Sequence, residues 1–454
     1  MKPITLTRFN ALAGYCRQPM TLHIAEEVGW FEHANERVLG TVILDDTDGD
    51  YSGVTLAKDQ MGRFRSVHLT DFYPSAHWAK ALLRREMERL SMASDEEYYQ
   101  GDEEGEPLNL FTPIVDTYRL NPGFIALADT PEYFAGREII TPMMHWYEDL
   151  DGNFVEQFQS TGFNARIWEL YLFATFVEMG YRIENIHATP DFTCDGVLGK
   201  FSVEAVTVNP TLDRTGEIVP PPPIKTDEER WSFLREYMPI KFGSSLTSKL
   251  AKRYWEKPNV AGKPLIFAIE DFSSLGSMVH TRSALPVYLF GYDHDWERDE
   301  NGGLRITPRK IQTHKWGGKV IPSGFFDLPD SENVSAVLFS NSGTISKFNR
   351  MGVLAGFGST DVILIRQGTA VNHDPNATEP QKFKHLVNSP EYQESWGEGL
   401  DIFHNPNANH PIEPEMLPGA AHHWLLPDGQ IESTIPEWHP LGSITLIAKR
   451  PDDK

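Results

Sequence analysis

Cysteine is scarce in this sequence, which has only two among its 454 residues. Cys16 and Cys194 could form at most one bridge, so a disulfide scaffold and the cysteine-rich zinc modules are excluded. Long apolar runs are also missing, because no stretch approaches the ~20 consecutive apolar residues of a membrane-spanning helix. Residues 1–16 lack the apolar segment of a signal peptide. We therefore expect a soluble, cytoplasmic protein that makes no use of a membrane.

Positive charge is in deficit as well. The chain has 41 Lys and Arg against 64 Asp and Glu, a formal net charge of −23. A surface that is basic everywhere is thereby excluded, although a local basic groove is still compatible with this balance. At about 150 residues per domain, the length predicts about three domains.

The sequence divides into three regions. Residues 1–155 are predicted to be β-rich, with strands in RVLGTVILDD, YSGVTLA and RFRSVHL and one amphipathic helix over 78–92. Residues 156–275 alternate helical and strand-like segments, which is typical of an α/β core. Residues 276–454 mix both kinds of signal and are predicted to be an accessory region.

The middle region has a definite order of elements. A helix is predicted over Phe163–Gly180, followed by apolar runs in YRIENIHA and GKFSVEAVTV. A Pro-rich insertion is predicted over 209–243, and then a helix over Ser244–Glu256 with Ser244 or Ser245 as its N-cap. The strand-like run PLIFAIEDF closes the region.

Three acidic residues lie among apolar neighbours in this region. Glu169 is in a helix that is apolar on most sides, Asp191 follows a proline at a strand start, and Glu204 is inside an apolar strand. A buried carboxylate is costly without a partner, so each should face a cation, a metal ion or a hydrogen-bond network. Two carboxylates from adjacent strands, with the backbone carbonyl of Ala205 between them, make an oxygen-rich site of the kind that Mg²⁺ accepts.

This pattern resembles the PD-(D/E)xK nuclease superfamily. The family has an acidic residue on a first helix, then Pro-Asp, then an acid-x-Lys triplet on the next strand, closed by a helix and a further strand. Here Glu169 matches the helix acid, Pro190-Asp191 the Pro-Asp, and Glu204-Ala205-Val206 the triplet. Ser244–Glu256 and Pro264–Asp271 match the closing helix and strand. The resemblance covers the middle region without its Pro-rich insertion.

The resemblance implies an α/β fold, with a restriction-endonuclease-like mixed sheet core flanked by helices and accessory regions at both ends. It implies a nuclease that hydrolyses phosphodiester bonds in DNA or RNA and depends on Mg²⁺ (or Mn²⁺). Asp191, Glu204 and the carbonyl of Ala205 would bind the metal directly, and Glu169 would act through the water shell of the metal. Whether two copies form a homodimer is left open.

The sequence departs from the family at Val206, where the family has the catalytic Lys. Lys200, Lys249 and Lys252 are candidates to replace it. Lys200 is four residues from Glu204, about 13 Å along an extended strand, which is far for a shared site. We prefer Lys249, which comes from another element. The alternative is that all three are ordinary surface lysines.

A second candidate site is the segment SGTISKFNRMG. Lys347 and Arg350 flank Phe348, so the cations could bind a phosphate and the ring could stack on a base. A packing turn is the alternative.

Two main functional hypotheses follow. The first is the metal-dependent nuclease, and the second is a catalytically inactive nuclease-like fold that binds nucleic acid or a protein; Val206 and the net charge favour the second. A carboxylate pair for glycoside hydrolysis is a third, weaker interpretation.

Overall fold

The structure is a computed structural model that describes residues 1–184 and 187–450. Part of the predicted run YRIENIHA (residues 185–186) and the last four residues of the predicted C-terminal region lie outside the described residues. None of the described helices is long and apolar enough to cross a membrane.

The N-terminal region contains an antiparallel sheet of five strands in sequential order, covered by one long helix. Its elements are β1 (Lys2–Pro3), α1 (Leu6–Ala13), α2 (Pro19–Ile24), β2 (Ala25–His33), β3 (Val38–Asp45), β4 (Tyr51–Lys58), β5 (Phe64–Leu69) and α3 (Ala76–Ser91). The predicted strands and the predicted amphipathic helix are confirmed, but residues 1–155 contain further helices, among them α1 and α2, so the prediction of one helix is wrong. Leu83 of α3 packs close to the sheet, where a Cβ at Gly53 would lie 2.8 Å from the Leu83 Cβ. The close approach of helix and sheet therefore requires glycine at position 53.

The middle of the chain forms a group of helices and then the first half of a large sheet. Its elements are α4 (Pro122–Asp129), α5 (Phe134–Met144), α6 (Phe154–Gln159), α7 (Phe163–Glu178), β6 (Arg182–Ile183), β7 (Phe192–Gly196), β8 (Gly199–Val208), β9 (Thr211–Leu212), β10 (Ile218–Val219), α8 (Asp227–Ser232), α9 (Met238–Leu250) and β11 (Leu265–Asp271).

The predicted start of the second helix is wrong. A capping box of Thr226 and Glu229 begins α8, and a π-helical turn over Phe233–Tyr237 carries the helix into α9. Pro239 is the second residue of α9, which directly follows the π-helical turn, so the proline lies where the regular α-helical hydrogen-bond pattern is interrupted. Ser244 is therefore inside the helix and is not its N-cap. The predicted Pro-rich insertion likewise includes helical residues.

The remaining elements complete the large sheet and add smaller ones. They are α10 (Ser277–His280), α11 (Ala284–Phe290), β12 (Tyr292–Arg298), β13 (Leu304–Lys310), β14 (Thr313–Trp316), β15 (Lys319–Pro322), β16 (Ala336–Phe339), α12 (Ile345–Leu354), β17 (Val362–Ala370), β18 (Gln381–Leu386), β19 (Asp401–His404), β20 (Ala421–Leu425), β21 (Ile431–Thr434) and β22 (Pro440–Lys449).

The large sheet has eight strands in the order β21-β20-β19-β16-β11-β8-β7-β6. Strands β6, β7 and β8 form an antiparallel meander, and β11 runs parallel to β8. Four of the eight strands come from beyond residue 276, so one sheet crosses the domain boundary predicted at 275. The predicted mixed α/β class, with a mixed sheet flanked by helices, is confirmed.

Strand β8 separates the two apolar cores of this sheet. Val203 and Ala205 face the core that contains α7, whereas Val206 and Val208 face the core that contains α9. The alternation follows from the pleat of a strand covered on both sides. Helices α7 and α9 thus lie on opposite faces of the strand that carries Glu204.

Candidate functional site

Helix α7 places the first acidic residue. The helix is apolar all round and almost entirely buried, and Glu169 is only 6% exposed. Its Oε2 accepts hydrogen bonds from Arg166 Nη1 at 2.5 Å and from Tyr147 Oη at 3.3 Å. The buried carboxylate thus has the cationic partner that its burial requires.

Strands β7 and β8 place the other two acidic residues side by side. Phe192 pairs with Val203 in the antiparallel register, which puts Asp191 beside Glu204. Asp191 Oδ2 accepts a hydrogen bond of 2.7 Å from the backbone N–H of Ala205. This bond fixes the Asp191 carboxylate next to the strand that carries Glu204.

Glu204 is held by two side chains from beyond β8. Lys249 Nζ, in the last turn of α9, donates to Glu204 Oε1, and Tyr254 Oη donates to the same oxygen at 2.6 Å. Glu204 is 3% exposed, and its Oε2 is buried without a hydrogen-bond partner among the described residues. Buried carboxylate oxygens usually have a hydrogen-bond partner, so this atom is an exception in the described structure.

The four elements meet at one cavity of about 370 Å³. Glu169, Asp191, Ala205 and Lys249 line it, together with three serines of α9: Ser244, Ser245 and Ser248. Of the four residues selected from the sequence, Glu169, Asp191 and Lys249 line the cavity, and Glu204 contacts Lys249 without being a lining residue.

The electrostatics of the cavity are those of crowded negative charge. Burial raises the pKa of Asp191 well above its ordinary value, and the charges of Glu204 and Glu169 raise it further, while Lys249 opposes them. Burial also raises the pKa of Glu169, although Arg166 lowers it. Neighbouring like charges favour the protonated carboxyl group, and a positive ion in the cavity would favour the charged one.

The chain was compared with protein-family models, with curated proteins and with solved structures. Nothing matches. The function of the cavity must therefore be inferred from its own geometry and chemistry.

The oxygen donors near the cavity are of the chemical type that a divalent metal ion takes. In residues 1–184 and 187–450, no three His, Cys, Asp or Glu side chains are grouped so that they could hold a metal ion. Among the described residues, Glu204 Oε2 has no hydrogen-bond partner and the Asp191 carboxylate accepts one hydrogen bond, from Ala205. With the backbone carbonyl of Ala205, they form a set of hard oxygen donors, which Mg²⁺ and Mn²⁺ prefer.

The other two candidate lysines lie away from the cavity. Lys200 Nζ pairs with Asp195 at 2.8 Å and with Glu184 at 2.9 Å, near the other end of β8. Lys252 lies over the ring of Tyr254, 6.0 Å from its centroid. Of the three candidates, Lys249 is the one that lines the cavity and contacts Glu204.

Sequence reasoning missed three residues of the site. Arg166 was detectable, since it is one helical turn before Glu169 on the same face. Tyr147 comes from an irregular segment. Tyr254 was predicted within the helix Ser244–Glu256, but α9 ends at Leu250 and Tyr254 begins a separate 3-10 turn. Ser244 was noticed only as a helix cap.

The expectation for Lys347 and Arg350 is corrected. Both lie on α12, and their side chains are 0% and 4% exposed. Lys347 Nζ and Arg350 Nη2 each contact Glu394 Oε1 at 2.8 Å. Their charges are compensated inside the protein, so they do not offer a phosphate-binding surface.

Proposed function

We propose that this protein is a metal-dependent nuclease that hydrolyses phosphodiester bonds. The observation that carries the proposal is the convergence of Glu169, Asp191 and Lys249 on one cavity, where Lys249 also donates a hydrogen bond to Glu204. Carboxylates gathered at a cavity with raised pKa values are typical of functional sites.

The order of elements supports a restriction-endonuclease-like core. Helix α7, the meander β6-β7-β8, helix α9 and strand β11 follow in the order of the nuclease superfamily. Glu169, Asp191 and Glu204 occupy the helix, the strand start and the strand interior that the family motif requires.

The chain supplies most of the chemistry with its own groups. Asp191, Glu204 and the Ala205 carbonyl would hold Mg²⁺ (or Mn²⁺), which when bound polarises a phosphodiester and acidifies a water molecule. Lys249 places a positive charge beside Glu204, where it can offset negative charge that develops on the phosphate. The hydroxyls of Ser244, Ser245 and Ser248 are donors at the cavity wall that can orient phosphate oxygens.

We expect the wild-type protein to cleave nucleic acid in Mg²⁺ or Mn²⁺, and excess chelator to abolish cleavage. Glu204→Gln should abolish it as well, because the variant loses the carboxylate charge at the buried Oε2 position. The assay uses single-stranded DNA, duplex DNA and RNA, each with and without metal. If the wild type and Glu204→Gln behave identically on all three substrates, the nuclease assignment is wrong.

Lys249→Met is expected to lower the cleavage rate by about 10²–10⁴-fold, the usual contribution of one positioned proton-transfer or charge-stabilising group. Met keeps the aliphatic stem and removes the ammonium group. Lys252→Met is the matched control, because Lys252 lies three residues further on and does not line the cavity. Equal rates for the two variants would exclude Lys249 from the reaction.

The alternative is a nuclease-like fold that binds without cleaving. It is favoured by Val206, which is 2% exposed in the core against α9 at the position of the family Lys. A thermal melt separates the two proposals: an intact metal site should raise the melting temperature in Mg²⁺ or Mn²⁺, and a degenerate site should not.

A further inference from the structure

One segment of this acidic protein is strongly basic. Residues 304–322, LRITPRKIQTHKWGGKVIP, contain five Lys or Arg and no Asp or Glu, in a chain whose formal net charge is −23. The segment comprises β13 and the hairpin β14–β15.

The first three cations of the segment are compensated. Arg305 Nη1 lies 3.7 Å from Glu297, Arg309 contacts two aspartates of β12, and Lys310 Nζ lies 3.3 Å from Asp327. The last two are not. Lys315 and Lys319 are exposed, and within residues 1–184 and 187–450 no carboxylate oxygen lies within 4 Å of either Nζ.

The hairpin reaches the cavity through helix α9. Lys319 Nζ donates to Ser244 Oγ at 2.6 Å, and Ser244 is exposed and lines the cavity of Asp191 and Lys249. Lys241, one turn before Ser244, hydrogen-bonds a backbone carbonyl and a hydroxyl and has no carboxylate partner in the described part of the chain. Lysines thus lie on the hairpin and next to the cavity on α9, with a carboxylate among them, that of Glu236, which accepts a hydrogen bond from the Lys315 backbone N–H at 2.5 Å.

An aromatic side chain accompanies these lysines. Trp316, at the end of β14, is 36% exposed and packs edge-on against Tyr237, with ring centroids 5.5 Å apart. An exposed ring among cations is suited to an unpaired base, whose face can stack on it while lysines contact the phosphates. In a duplex the faces of the bases are covered, so this combination favours a single strand.

We propose that the hairpin β14–β15 and the adjoining face of α9 bind single-stranded nucleic acid and lead its backbone into the cavity. Lys315, Lys319 and Lys241 contact phosphates, and Trp316 stacks on a base. The delivery of a strand to the cavity rests on the proposed nuclease function, whereas the binding of the strand to the hairpin requires no cleavage.

The test is a binding measurement without metal. Fluorescence anisotropy follows labelled oligo-dT, oligo-rU and a DNA duplex on the Glu204→Gln protein in chelator, over a series of salt concentrations. On this background, Lys315→Ala/Lys319→Ala is expected to weaken binding of the single strands about tenfold and to reduce the salt slope by about 1.4, at about 0.7 per lost phosphate contact. Trp316→Ala should weaken it about fivefold or more and leave the salt slope unchanged.

The matched control is Lys382→Ala/Lys384→Ala, which removes two exposed lysines from β18 in a separate three-stranded sheet. Circular dichroism checks that every variant is folded. The proposal is overturned if the hairpin variants bind like their parent, if the control loses as much affinity, if the duplex is preferred, or if the parent binds no strand.

These outcomes are distinct from those of the nuclease test. If binding depends on the hairpin but the wild type cleaves nothing in any metal, the proposed binding surface is supported and the proposed nuclease function is wrong. If the wild type cleaves nucleic acid and the hairpin variants cleave and bind it equally well, the nuclease function is supported and the proposed binding surface is wrong.

Discussion

Replacing Asp191 with Asn is expected to abolish cleavage and, at the same time, to stabilise the metal-free protein. The Asp191 carboxylate is enclosed beside Glu204 and Glu169, and its pKa is raised well above the ordinary value. Asn keeps the oxygen that accepts the hydrogen bond from Ala205 and removes the repelled charge. The free energy of unfolding should rise by on the order of 1–3 kcal/mol near neutral pH, because each unit by which the folded state raises the pKa costs it about 1.4 kcal/mol.

The pH dependence has a definite sign. Because the pKa of Asp191 is raised in the folded protein, the folded state binds this proton more tightly than the unfolded state does. The contribution of Asp191 to the free energy of unfolding is fully present below its ordinary pKa of 3.8. It is lost as the pH rises through the raised pKa of the folded protein. The difference between Asp191→Asn and wild type should therefore be small in acid and largest at neutral pH.

Urea unfolding from pH 4 to pH 8, with and without Mn²⁺, measures both effects. Metal at 100 times its dissociation constant should stabilise the wild type by about 2.7 kcal/mol and should not stabilise Asp191→Asn. Asp195→Asn is the control, because Asp195 lies in β7, which directly follows Asp191, and is paired with Lys200. A variant at position 191 that is less stable than wild type at neutral pH would show that the carboxylates are not in repulsive contact.

The acidic residues of the site were predictable because they break an apolar pattern. Glu169 in an apolar helix and Glu204 in an apolar strand stand out in a single sequence, and burial makes such residues costly unless they have partners. The class of the sheet followed from the order of helices and strands. Both signals are local in the chain.

What could not be predicted depends on contacts between distant segments. Lys249 contacts Glu204 across 45 positions of the chain, and only the fold selects it over Lys252. The start of the helix that carries Lys249 was not predictable because a proline usually ends a helix, whereas Pro239 lies inside the helical run, just after its π-helical turn. The eight-stranded sheet recruits β16, β19, β20 and β21 from the C-terminal region, and no local pattern specifies that pairing.

The partners of Lys347 and Arg350 were hidden for the same reason. Glu394 lies 44 residues after Arg350, in a segment without periodic structure. Its side chain is 0% exposed and also accepts a hydrogen bond of 2.6 Å from Tyr392 Oη. Arg366 Nη1 of β17 lies 3.3 Å from the same carboxylate. One glutamate thus joins α12, β17 and the loop before β19.

Glu394→Gln is therefore expected to destabilise the protein by about 3–5 kcal/mol, the cost of leaving buried charges without their partner. Burial alone would raise the pKa of Glu394, but the charges of Arg350, Lys347 and Arg366 hold it well below its ordinary value. Its stabilising effect is present above the ordinary pKa of 4.5 and is lost as the pH falls through the lowered value. The loss caused by Glu394→Gln should then be complete at pH 7 and shrink only in strong acid.

Thermal and urea unfolding at pH 7 measure this loss, with Glu391→Gln as the matched control. Glu391 is exposed, three residues earlier in the same loop, and bonds only Ser389 among the described side chains. The control should change the free energy of unfolding by less than about 0.5 kcal/mol, as is usual for surface substitutions. A phosphate-binding role for Lys347 and Arg350 makes the opposite prediction, because removing Glu394 would free two cations and strengthen nucleic-acid binding without a large loss of stability. Measuring unfolding and binding on the same variant therefore decides between a structural ion network and a substrate site on α12.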